Sequence, residues 1–575
     1  MTTTSQTAPT AVHDGPAVPV NSKWVVLTNT TIGILLATIN SSIIMIALPD
    51  IFRGLGISPL DPGNSGYLLR LMMGYLVVTA VLVVSFGRLG DLYGRVRMYN
   101  LGFLVFTVCS ILLTATWMTG SAGAMWLIVM RILQGVGGAL LMANSSAIIT
   151  DAFPSNQRGM ALGLNQVAGI AGSFLGLIIG GLLAPVNWRL VFFVSVPIGV
   201  FGTVWAYLKL HENAVSRHHE MDWLGNITFA AGLISVLVAI TYGIQPYGSD
   251  VMGWRNPAVL VGLIGGVIVL IGFVFIERRV PHPMFRLELF RIRAFTAGNI
   301  ASLLAALGRG GLMFVLIIWL QGIWLPLHGY PFEATPLWAG IFMAPMSAGF
   351  LLAGPASGWL SDRHGARVLA SGGMLLTAAS FVMLLLLPVD FDFTWFAVAL
   401  FLNGVGNGLF ASPNRAAIMN SLPANRRGVG AGMLNTFQNA AMVLSIGIFF
   451  SLMILGLSAN LPSAMMAGLT AHGVPPVDAA RLAQVPPVEL LFAALLGANP
   501  MQALLGSTVL SQLSASNAAA LTGQEFFPTL IAAPFQAGLG VAFGFAIVAS
   551  LIAAGASAMR GGKYVHQDPA DELAG

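Results

Sequence analysis

The sequence predicts an all-α polytopic membrane protein of two six-helix halves, with two further helices inserted between them. Three observations support this prediction: fourteen apolar runs of membrane-spanning length, a concentration of basic residues in alternate loops, and an internal repeat. Apolar residues make up 56% of the 575 residues, charged residues only 8%, and the mean hydropathy is +0.83. This composition excludes a soluble globular domain, so the net charge of +5 does not indicate nucleic-acid binding.

The fourteen apolar runs are the first element of the prediction. Each holds about 20 or more mainly apolar residues, enough for a helix to cross a hydrocarbon core about 30 Å thick. We number the spans 1 to 14 in chain order. They lie at 24–48, 67–87, 98–117, 124–150, 159–184, 189–210, 223–243, 257–276, 294–320, 336–360, 366–387, 394–420, 428–457 and 528–556.

The loops between the spans differ in charge, and this difference predicts the orientation. Basic residues concentrate in the cytoplasmic loops of membrane proteins. With both termini in the cytoplasm, the cytoplasmic side carries eighteen Lys and Arg and the outer side five. We therefore predict a multi-pass protein of the plasma (inner) membrane with both termini inside.

Short motifs of the first half recur in the second half at nearly one offset. GRLGDLYGRVR, residues 87–97, returns as GWLSDRHGAR from residue 358, and QGVG at 134 returns as NGVG at 403. FPSNQRGMALG, ending at Gly163, returns as LPANRRGVGAG, ending at Gly432. Parallel halves with a binding site between them are a transporter architecture. The predicted domains are a disordered tail at 1–22, an N-terminal half at 23–210, a linker at 211–293, a C-terminal half at 294–457 and 528–556, an outer loop at 458–527 and a cytoplasmic tail at 557–575.

Several motifs resemble those of the major facilitator superfamily, in its fourteen-helix drug:proton antiporter branch. The loop at 87–97 resembles the superfamily's signature loop, RILQGVGGA from Arg131 resembles its helix 4 motif, and NWRLVFFVSVPIG from Asn187 resembles the start of helix 6 in this branch. The resemblance covers about residues 24–456 and 528–560 and implies alternating access. In helix 5 every glycine of the antiporter pattern is present, but leucine replaces its proline. The matching residues are Gly163, Gly172, Gly176, Leu177, Gly180 and Gly181.

Glycines along one helix face permit another helix backbone to approach closely. Those of helix 5 serve either static packing or, as the resemblance implies, a moving contact between the halves that helps to seal one side. Leu177 retains a backbone donor that proline would remove, so we expect a stiffer helix 5 than the family pattern gives.

The charged loop at 87–97 has two interpretations. Its arginines suit a topology signal at an anionic leaflet surface, and Asp91 is able to accept hydrogen bonds from helix-end amides. A topology signal would need only the arginines, so recurrence of the aspartate and glycine at 358–365 indicates a further role for the loop. The resemblance implies that this role is that of a conformational latch. The residues concerned are Gly87, Asp91, Gly94, Arg95, Arg97, Gly358, Asp362 and Gly365.

Charge inside the membrane is costly and usually functional. All twenty-one acidic residues fall in tails, loops or span ends, and Asn40 replaces the carboxylate of the family's helix 1 motif. Asn40 cannot carry a proton near neutral pH, so the simplest proton-coupling scheme lacks its carrier. Arg131 in span 4 either faces the cavity or has a structural role, bonding to carbonyl groups of helix 1. Arg309 in span 9 occupies the repeat position of Asn40 and either faces the same cavity or extends to the outer interface. We expect a positive cavity lined by Asn40, Arg131, Gln134, Asn144, Arg309 and Asn403.

The outer loop at 458–527 contains an apolar stretch broken by GANP at 497–500. This stretch is too short for two more spans, so we predict an interfacial helical hairpin over the outer mouth. It is either a lid or a docking surface for an extracytoplasmic partner or lipid.

Together these observations predict a secondary active transporter that exports a drug or a lipid-like amphipath, with preference for an anion. The alternative is a transport-inactive membrane sensor or scaffold of the same fold. A membrane-embedded enzyme finds little support, because no histidine lies in a span and no nucleophile lies beside a base. The single cysteine, Cys109, suits neither a disulfide nor a metal site. We therefore predict no catalytic residue, cofactor or bound metal, and a monomer.

Overall fold

The computed structural model describes residues 20–58, 64–212, 222–248, 250–281, 283–423, 426–496 and 499–561. Within these residues fourteen helices are long and apolar enough to cross a membrane, and no β-strand is present. This confirms the predicted fold class. Most of the two predicted tails, residues 1–19 and 562–575, lies outside the described part of the chain.

Helices 1 to 8 form the N-terminal half and the two inserted helices. Helix 6 is divided at Val194, and a short 3-10 turn, Gly253–Arg255, precedes helix 8. The bounds are Val20–Leu55, Asn64–Tyr93, Arg95–Thr114, Gly120–Ala152, Ser155–Leu183, Leu190–Phe193 with Ser195–Lys209, Trp223–Gly243 and Pro257–Glu277.

Helices 9 to 14 form the C-terminal half. Helix 9 ends in a π-helical turn followed by one further turn, and helix 10 is divided at Met343. A 3-10 turn, Leu287–Arg291, leads into helix 9. The bounds are Arg293–Trp319 with Leu320–Trp324 and Leu325–Leu327, Thr335–Phe342 with Ala344–His364, Ala366–Leu386, Phe393–Asn420, Arg427–Ala471 and Phe526–Ala558.

Glycine separates two helices at each of the repeated loops. Gly94 lies between helices 2 and 3 with φ 105°, and Gly365 lies between helices 10 and 11 with φ 82°. L side chains rarely adopt such a backbone conformation, so glycine is the residue that permits both tight turns. We call the end of the bundle that carries these two turns the loop face, and the opposite end the far face.

The internal repeat extends to helix packing. Helix 4 packs against helices 2 and 3, and helix 12 packs against helices 10 and 11. A Cβ on Gly135 would lie 3.0 Å from the carbonyl oxygen of Tyr75, and one on Gly404 would lie 1.9 Å from that of Met346. The pair Gly135 and Tyr75 and the pair Gly404 and Met346 occupy equivalent positions in the repeat. The same close contact between helix backbones is therefore present in both halves.

A buried hydrogen bond is repeated as well. Gln134 Nε2 donates to Ser110 Oγ at 2.8 Å between helices 4 and 3, and Asn403 Nδ2 donates to Ser380 Oγ at 2.9 Å between helices 12 and 11. All four side chains are buried. The amide and hydroxyl therefore fix the same helix pair in each half.

The two halves meet through helices 5 and 10 and through helices 2 and 13. A Cβ on Gly181 of helix 5 would lie 2.5 Å from Leu337 Cα, and one on Gly340 would lie 3.2 Å from the Leu177 carbonyl group. These contacts lie at the far-face end of helix 5 and the start of helix 10. In this conformation the far face is thus closed where these helices cross.

Helix 13 is longer than the sequence predicted. Its 45 residues continue to Ala471, beyond the predicted end at 457. At about 1.5 Å per residue the helix is about 67 Å long, more than twice the thickness of a hydrocarbon core. We call residues 472–525, between helices 13 and 14, the cap. Its helices are Pro476–Leu482, Pro487–Leu495, Met501–Gln512 and Ala515–Thr522.

The cap helix Pro487–Leu495, which we call the plug helix, does not lie on the surface. All its residues except Glu489 are buried, and the helix contacts helices 2, 9 and 13. Phe492 stacks on Phe450 of helix 13 with ring centroids 5.1 Å apart. A helix that is apolar nearly all round is a buried helix, so the prediction of an interfacial hairpin is wrong for this stretch.

We expect the repeated hydrogen bond to contribute equally to both halves. Ser110→Ala and Ser380→Ala each leave a buried amide without its acceptor, which costs about 1–3 kcal/mol. Both variants should therefore lower the free energy of unfolding by similar amounts, measured by thermal unfolding of the purified protein. Ser511→Ala, on an exposed cap residue, is the control and should have no effect. A large effect of only one buried variant would contradict the equivalence.

Candidate functional site

Five of the six residues predicted for the cavity are buried inside one half or the other. Asn40, Gln134 and Asn144 have no exposed surface, and Arg131 and Asn403 are 1% exposed. Asn144 donates to the Leu140 carbonyl oxygen at 2.9 Å, and Asn403 bonds to Ser380 as described. In this conformation, none of these five residues borders an open cavity.

Arg131 lies at the centre of a buried polar network. Its guanidinium donates to the side-chain oxygens of Asn40 and, at 2.7 Å, of Gln134. The guanidinium lies 4.4 Å from the centre of the Tyr75 ring, and Asn40 Nδ2 donates to Ser195 Oγ at 3.0 Å. The network joins helices 1, 2, 4 and 6, which fits the structural role weighed for Arg131 from the sequence.

Arg309 differs from Arg131 in both exposure and partners. It lies near the middle of helix 9 and is partly exposed. No hydrogen bond or ion pair joins its side chain to any residue that the structure describes. A guanidinium at membrane depth without a protein partner is a candidate ligand-binding group.

A side chain of helix 13 contacts the backbone of helix 9 around Arg309. The Ser445 hydroxyl bonds to the Leu307 carbonyl oxygen and accepts a hydrogen bond from the Gly311 amide at 2.7 Å. These two backbone groups belong to residues i and i+4 of the continuous α-helix Arg293–Trp319. Ser445 therefore joins helix 13 to helix 9 directly beside Arg309. We call residues 307–311 the Ser445 turn.

A third membrane arginine, Arg415, joins the two halves. Its Nη1 donates to Gln166 Oε1 of helix 5 at 2.8 Å, and its Nη2 donates to Asn435 Oδ1 of helix 13 at 3.4 Å. Gln166 and Asn435 occupy equivalent positions in the repeat. Arg415 therefore bridges two related amides, one from each half.

The sequence prediction missed Arg415, although a complete account of the charges would have found it. The chain has 26 Lys and Arg, of which 23 are assigned to loops and two more are Arg131 and Arg309. The remaining one is Arg415, five residues before the end of helix 12.

Carboxylates are absent from the middle of every described span. Acidic residues occur in these spans only within five residues of an end, at Asp50, Asp91, Asp151 and Glu277. Arg309 and Arg415 are therefore not neutralised by a described carboxylate at their depth, and the potential around them is positive.

The loop at 87–97 is tied to helix 4 through Arg95. Arg95 pairs with Asp91 at 2.8 Å and with Asp151 of helix 4 at 2.6 Å. The repeat positions of Arg95 and Asp151 are Ala366 and Asn420, so this bridge belongs to the N-terminal half only. Arg97 is exposed, and a Cβ on Gly87 would meet no atom within 4 Å.

Glu212, which the sequence prediction overlooked, caps helix 3. Its carboxylate accepts hydrogen bonds from the amides of Arg95, Val96 and Arg97 at 3.1, 3.0 and 3.3 Å. A negative charge at a helix N-terminus is favourable because the end amides are unpaired and the helix dipole is positive there. The expectation that Asp91 accepts these amides is wrong, because the Asp91 carboxylate is paired with Arg95 instead.

The second loop is described only in part. Gly365 forms the turn, and a Cβ on Gly358 would lie 3.0 Å from Ser412 Oγ of helix 12. The side chain of Asp362 lies outside the described residues. The latch role of both loops stays a prediction.

The glycines of the helix 5 pattern face two different neighbours. A Cβ on Gly172, Gly176 or Gly180 would lie 2.2–2.5 Å from a side chain of helix 1, within the same half. Gly181 and Leu177 instead contact helix 10 of the other half, and Gly163 is exposed. The pattern thus combines packing inside one half with contact between the halves at the far face.

Comparison with known proteins places these features in a family context. The family model described as Major Facilitator Superfamily matches residues 30–222 and 220–446. The riboflavin transporter RibZ of Clostridioides difficile (strain 630) is 28% identical over 76% of this chain and 90% of its own length. The tetracenomycin C resistance and export protein of Streptomyces glaucescens is 28% identical over 77% of each chain. The multidrug resistance protein Stp of Mycobacterium tuberculosis (strain CDC 1551 / Oshkosh) is 27% identical over 75% of this chain and 76% of its own length.

A solved structure shares the fold. The inward-facing, unoccupied structure of a bacterial homolog of the human lysosomal transporter Spinster superposes with a TM-score of 0.58, covering 94% of this chain and 98% of that chain. The two sequences are 14% identical, so this likeness concerns the fold alone.

The cap of helix 3 yields a test that separates Glu212 from Asp91. Glu212→Gln should lower the free energy of unfolding by about 0.5–1 kcal/mol, because a charged acceptor at a helix N-terminus becomes neutral. Asp91→Asn should cost less, because it removes one partner of a half-exposed ion pair. Thermal unfolding measures both, with Glu333→Gln on an exposed residue as the control. A larger loss for Asp91→Asn would contradict the assignment.

Proposed function

The chain belongs to the Major Facilitator Superfamily, and we propose that it is a secondary transporter that exports amphipathic organic anions by alternating access of its two halves. The family match extends over most of the chain, and the relatives named above are transporters or resistance proteins. The choice of an anion rests on the positive potential around helices 9 and 12.

The observation that carries this proposal is the unpartnered guanidinium of Arg309. A partly exposed guanidinium at membrane depth without a described protein partner is available to a ligand. An anionic substrate would supply a partner for it at the Ser445 turn, and the positive surroundings would disfavour a lipophilic cation. Arg415 would provide a second cation nearer the loop face. In the present conformation its guanidinium is bound by two neutral side-chain amides, those of Gln166 and Asn435.

The names of the relatives support a small organic substrate. One is named for riboflavin, one for export of tetracenomycin C and one for multidrug resistance. A drug-like molecule and a lipid-like amphipath both belong to the class that we propose for this chain.

The driving force follows from the charge of the substrate. A proton-coupled exporter needs a titratable carrier, and the middle of the described spans contains no carboxylate. An anion that leaves a cell with a negative interior moves down the electrical gradient, a gain of about 2.3 kcal/mol per charge at 100 mV. We therefore propose export driven by the membrane potential, with the loop face in the cytoplasm.

One observation also favours the alternative of a transport-inactive sensor or scaffold. That observation is the same lack of a carboxylate carrier in the described spans. Transport measurements on the purified protein separate the two functions, because a sensor moves neither anionic nor cationic probes.

Arg309 should determine the preference for anions. In proteoliposomes the full-length protein should transport fluorescein, an anion, faster than ethidium, a cation. Arg309→Gln should slow fluorescein transport about tenfold or more, because a hydrogen bond to a charged group contributes about 1.5–3 kcal/mol. Arg309→Lys should retain part of the rate. Arg255→Gln, on a highly exposed loop residue, is the control. Equal transport of both dyes, unaffected by Arg309→Gln, would refute the anion preference.

The membrane potential should set the gradient that the protein sustains. With a potassium diffusion potential of about 100 mV, a monovalent anion should accumulate about 50-fold on the positive side, from about 2.3 kcal/mol at 1.4 kcal/mol per tenfold. The distribution of a monovalent anionic dye between vesicle interior and medium measures this ratio. Accumulation that follows an imposed pH gradient and ignores the potential would instead indicate proton coupling.

A further inference from the structure

Gln321 is a fully buried amide without a hydrogen-bond partner. It has no exposed surface, and neither its Nε2 nor its Oε1 bonds to any residue that the structure describes. An unsatisfied buried polar group costs about 1–3 kcal/mol, so native proteins rarely leave both ends of an amide unpaired.

The backbone at Gln321 is also irregular. Gln321 belongs to the π-helical turn Leu320–Trp324, near the far-face end of helix 9. π-helical turns are rare and occur frequently at functional sites. The unpaired amide and the irregular turn therefore coincide in one helix segment.

Two elements close the far face over this turn. The plug helix packs directly on it, and a Cβ on Gly322 would lie 3.0–3.1 Å from Ala494. The first segment of helix 10, Thr335–Phe342, contacts the turn from another side and also packs against helix 5 of the other half. Gln321 thus belongs to the turn on which both of these elements pack.

We propose that Gln321 is a substrate-binding residue of the far-face exit, exposed when the plug helix leaves the π-helical turn. Its amide would bind a group that both donates and accepts hydrogen bonds, such as a hydroxyl or a carboxamide. The unpaired amide raises the free energy of the closed conformation. In the open conformation substrate or water supplies the missing hydrogen bonds, so this unfavourable term is absent there.

This proposal rests on the proposed transport function and extends it. Arg309 lies twelve residues earlier on the same helix, about 18 Å along its axis. An amphipathic anion would therefore meet the guanidinium first and the amide later on its way to the far face.

A disulfide tests whether the plug helix moves. Gly322→Cys with Ala494→Cys, in a Cys109→Ala background, places two Cβ atoms 3.1 Å apart in the closed conformation. A shift of about half an ångström brings them to the separation of about 3.5–4.5 Å that a disulfide requires. Oxidation should stop fluorescein transport in proteoliposomes, and dithiothreitol should restore it. Transport by the oxidised protein at the rate of the reduced protein would overturn the proposal.

A second variant tests the amide itself. Gln321→Leu removes the unpaired polar groups, so it should stabilise the closed conformation about tenfold, the equivalent of about 1.4 kcal/mol. The thermal unfolding temperature should rise while fluorescein transport falls. Gln512→Leu, on an exposed cap residue, should change neither. A lower unfolding temperature, or unchanged transport, would show that Gln321 has only a structural role.

An accessibility measurement separates this proposal from the transport function. Gln321→Cys in the Cys109→Ala background, reconstituted in nanodiscs, should react with a membrane-impermeant maleimide, and fluorescein should slow the reaction. If the wild-type protein transports no dye but the cysteine reacts, the proposed function fails while the opening of the exit is supported. A cysteine that stays unreactive overturns the exit site.

Discussion

Close backbone contact around helices 4 and 12 is the constraint on which both halves depend. Lipid tails are as apolar as the helices, so helix association in a membrane relies on packing and hydrogen bonds. Helix 4 meets its neighbours through Gly135 and Gly137, and helix 12 does so through Gly404 and Gly406 at the repeat positions. Together with the amide–hydroxyl bonds between the same helices, these contacts make each half a packed unit. We therefore expect motion at the contacts between the two halves rather than inside either half.

The two halves are not equally regular. The N-terminal half contains the Arg131 network and the Arg95 bridge, both of which join several helices. Helix 9 of the C-terminal half instead ends in the π-helical turn at Gln321, and the Ser445 hydroxyl contacts its backbone beside Arg309. Its counterpart, helix 1, contains Pro49 but no π-helical turn.

The sequence predicted what depends on local backbone chemistry and on segment length. The turn glycines at 94 and 365, the fourteen spans and the repeat were all accessible, because each leaves a pattern in consecutive residues. The orientation of Arg131 was not, since helix 4 is apolar on nearly every side and gives no amphipathic face to follow. Glu212 and Ser445 act on residues more than a hundred positions away, and neither residue type is unusual where it stands. These contacts were not predictable because the partner residues lie far apart in the chain, not because the interactions are weak.

The length of helix 13 has a mechanical consequence. One part of this helix packs against the helices of both halves, and about 37 Å of it, including Pro462, exceeds the thickness of a hydrocarbon core. A rotation of about 15°, as in known rigid-body transitions, would move the end of such a lever by about 10 Å. A rotation between the halves is in this way magnified where the cap begins, after Ala471.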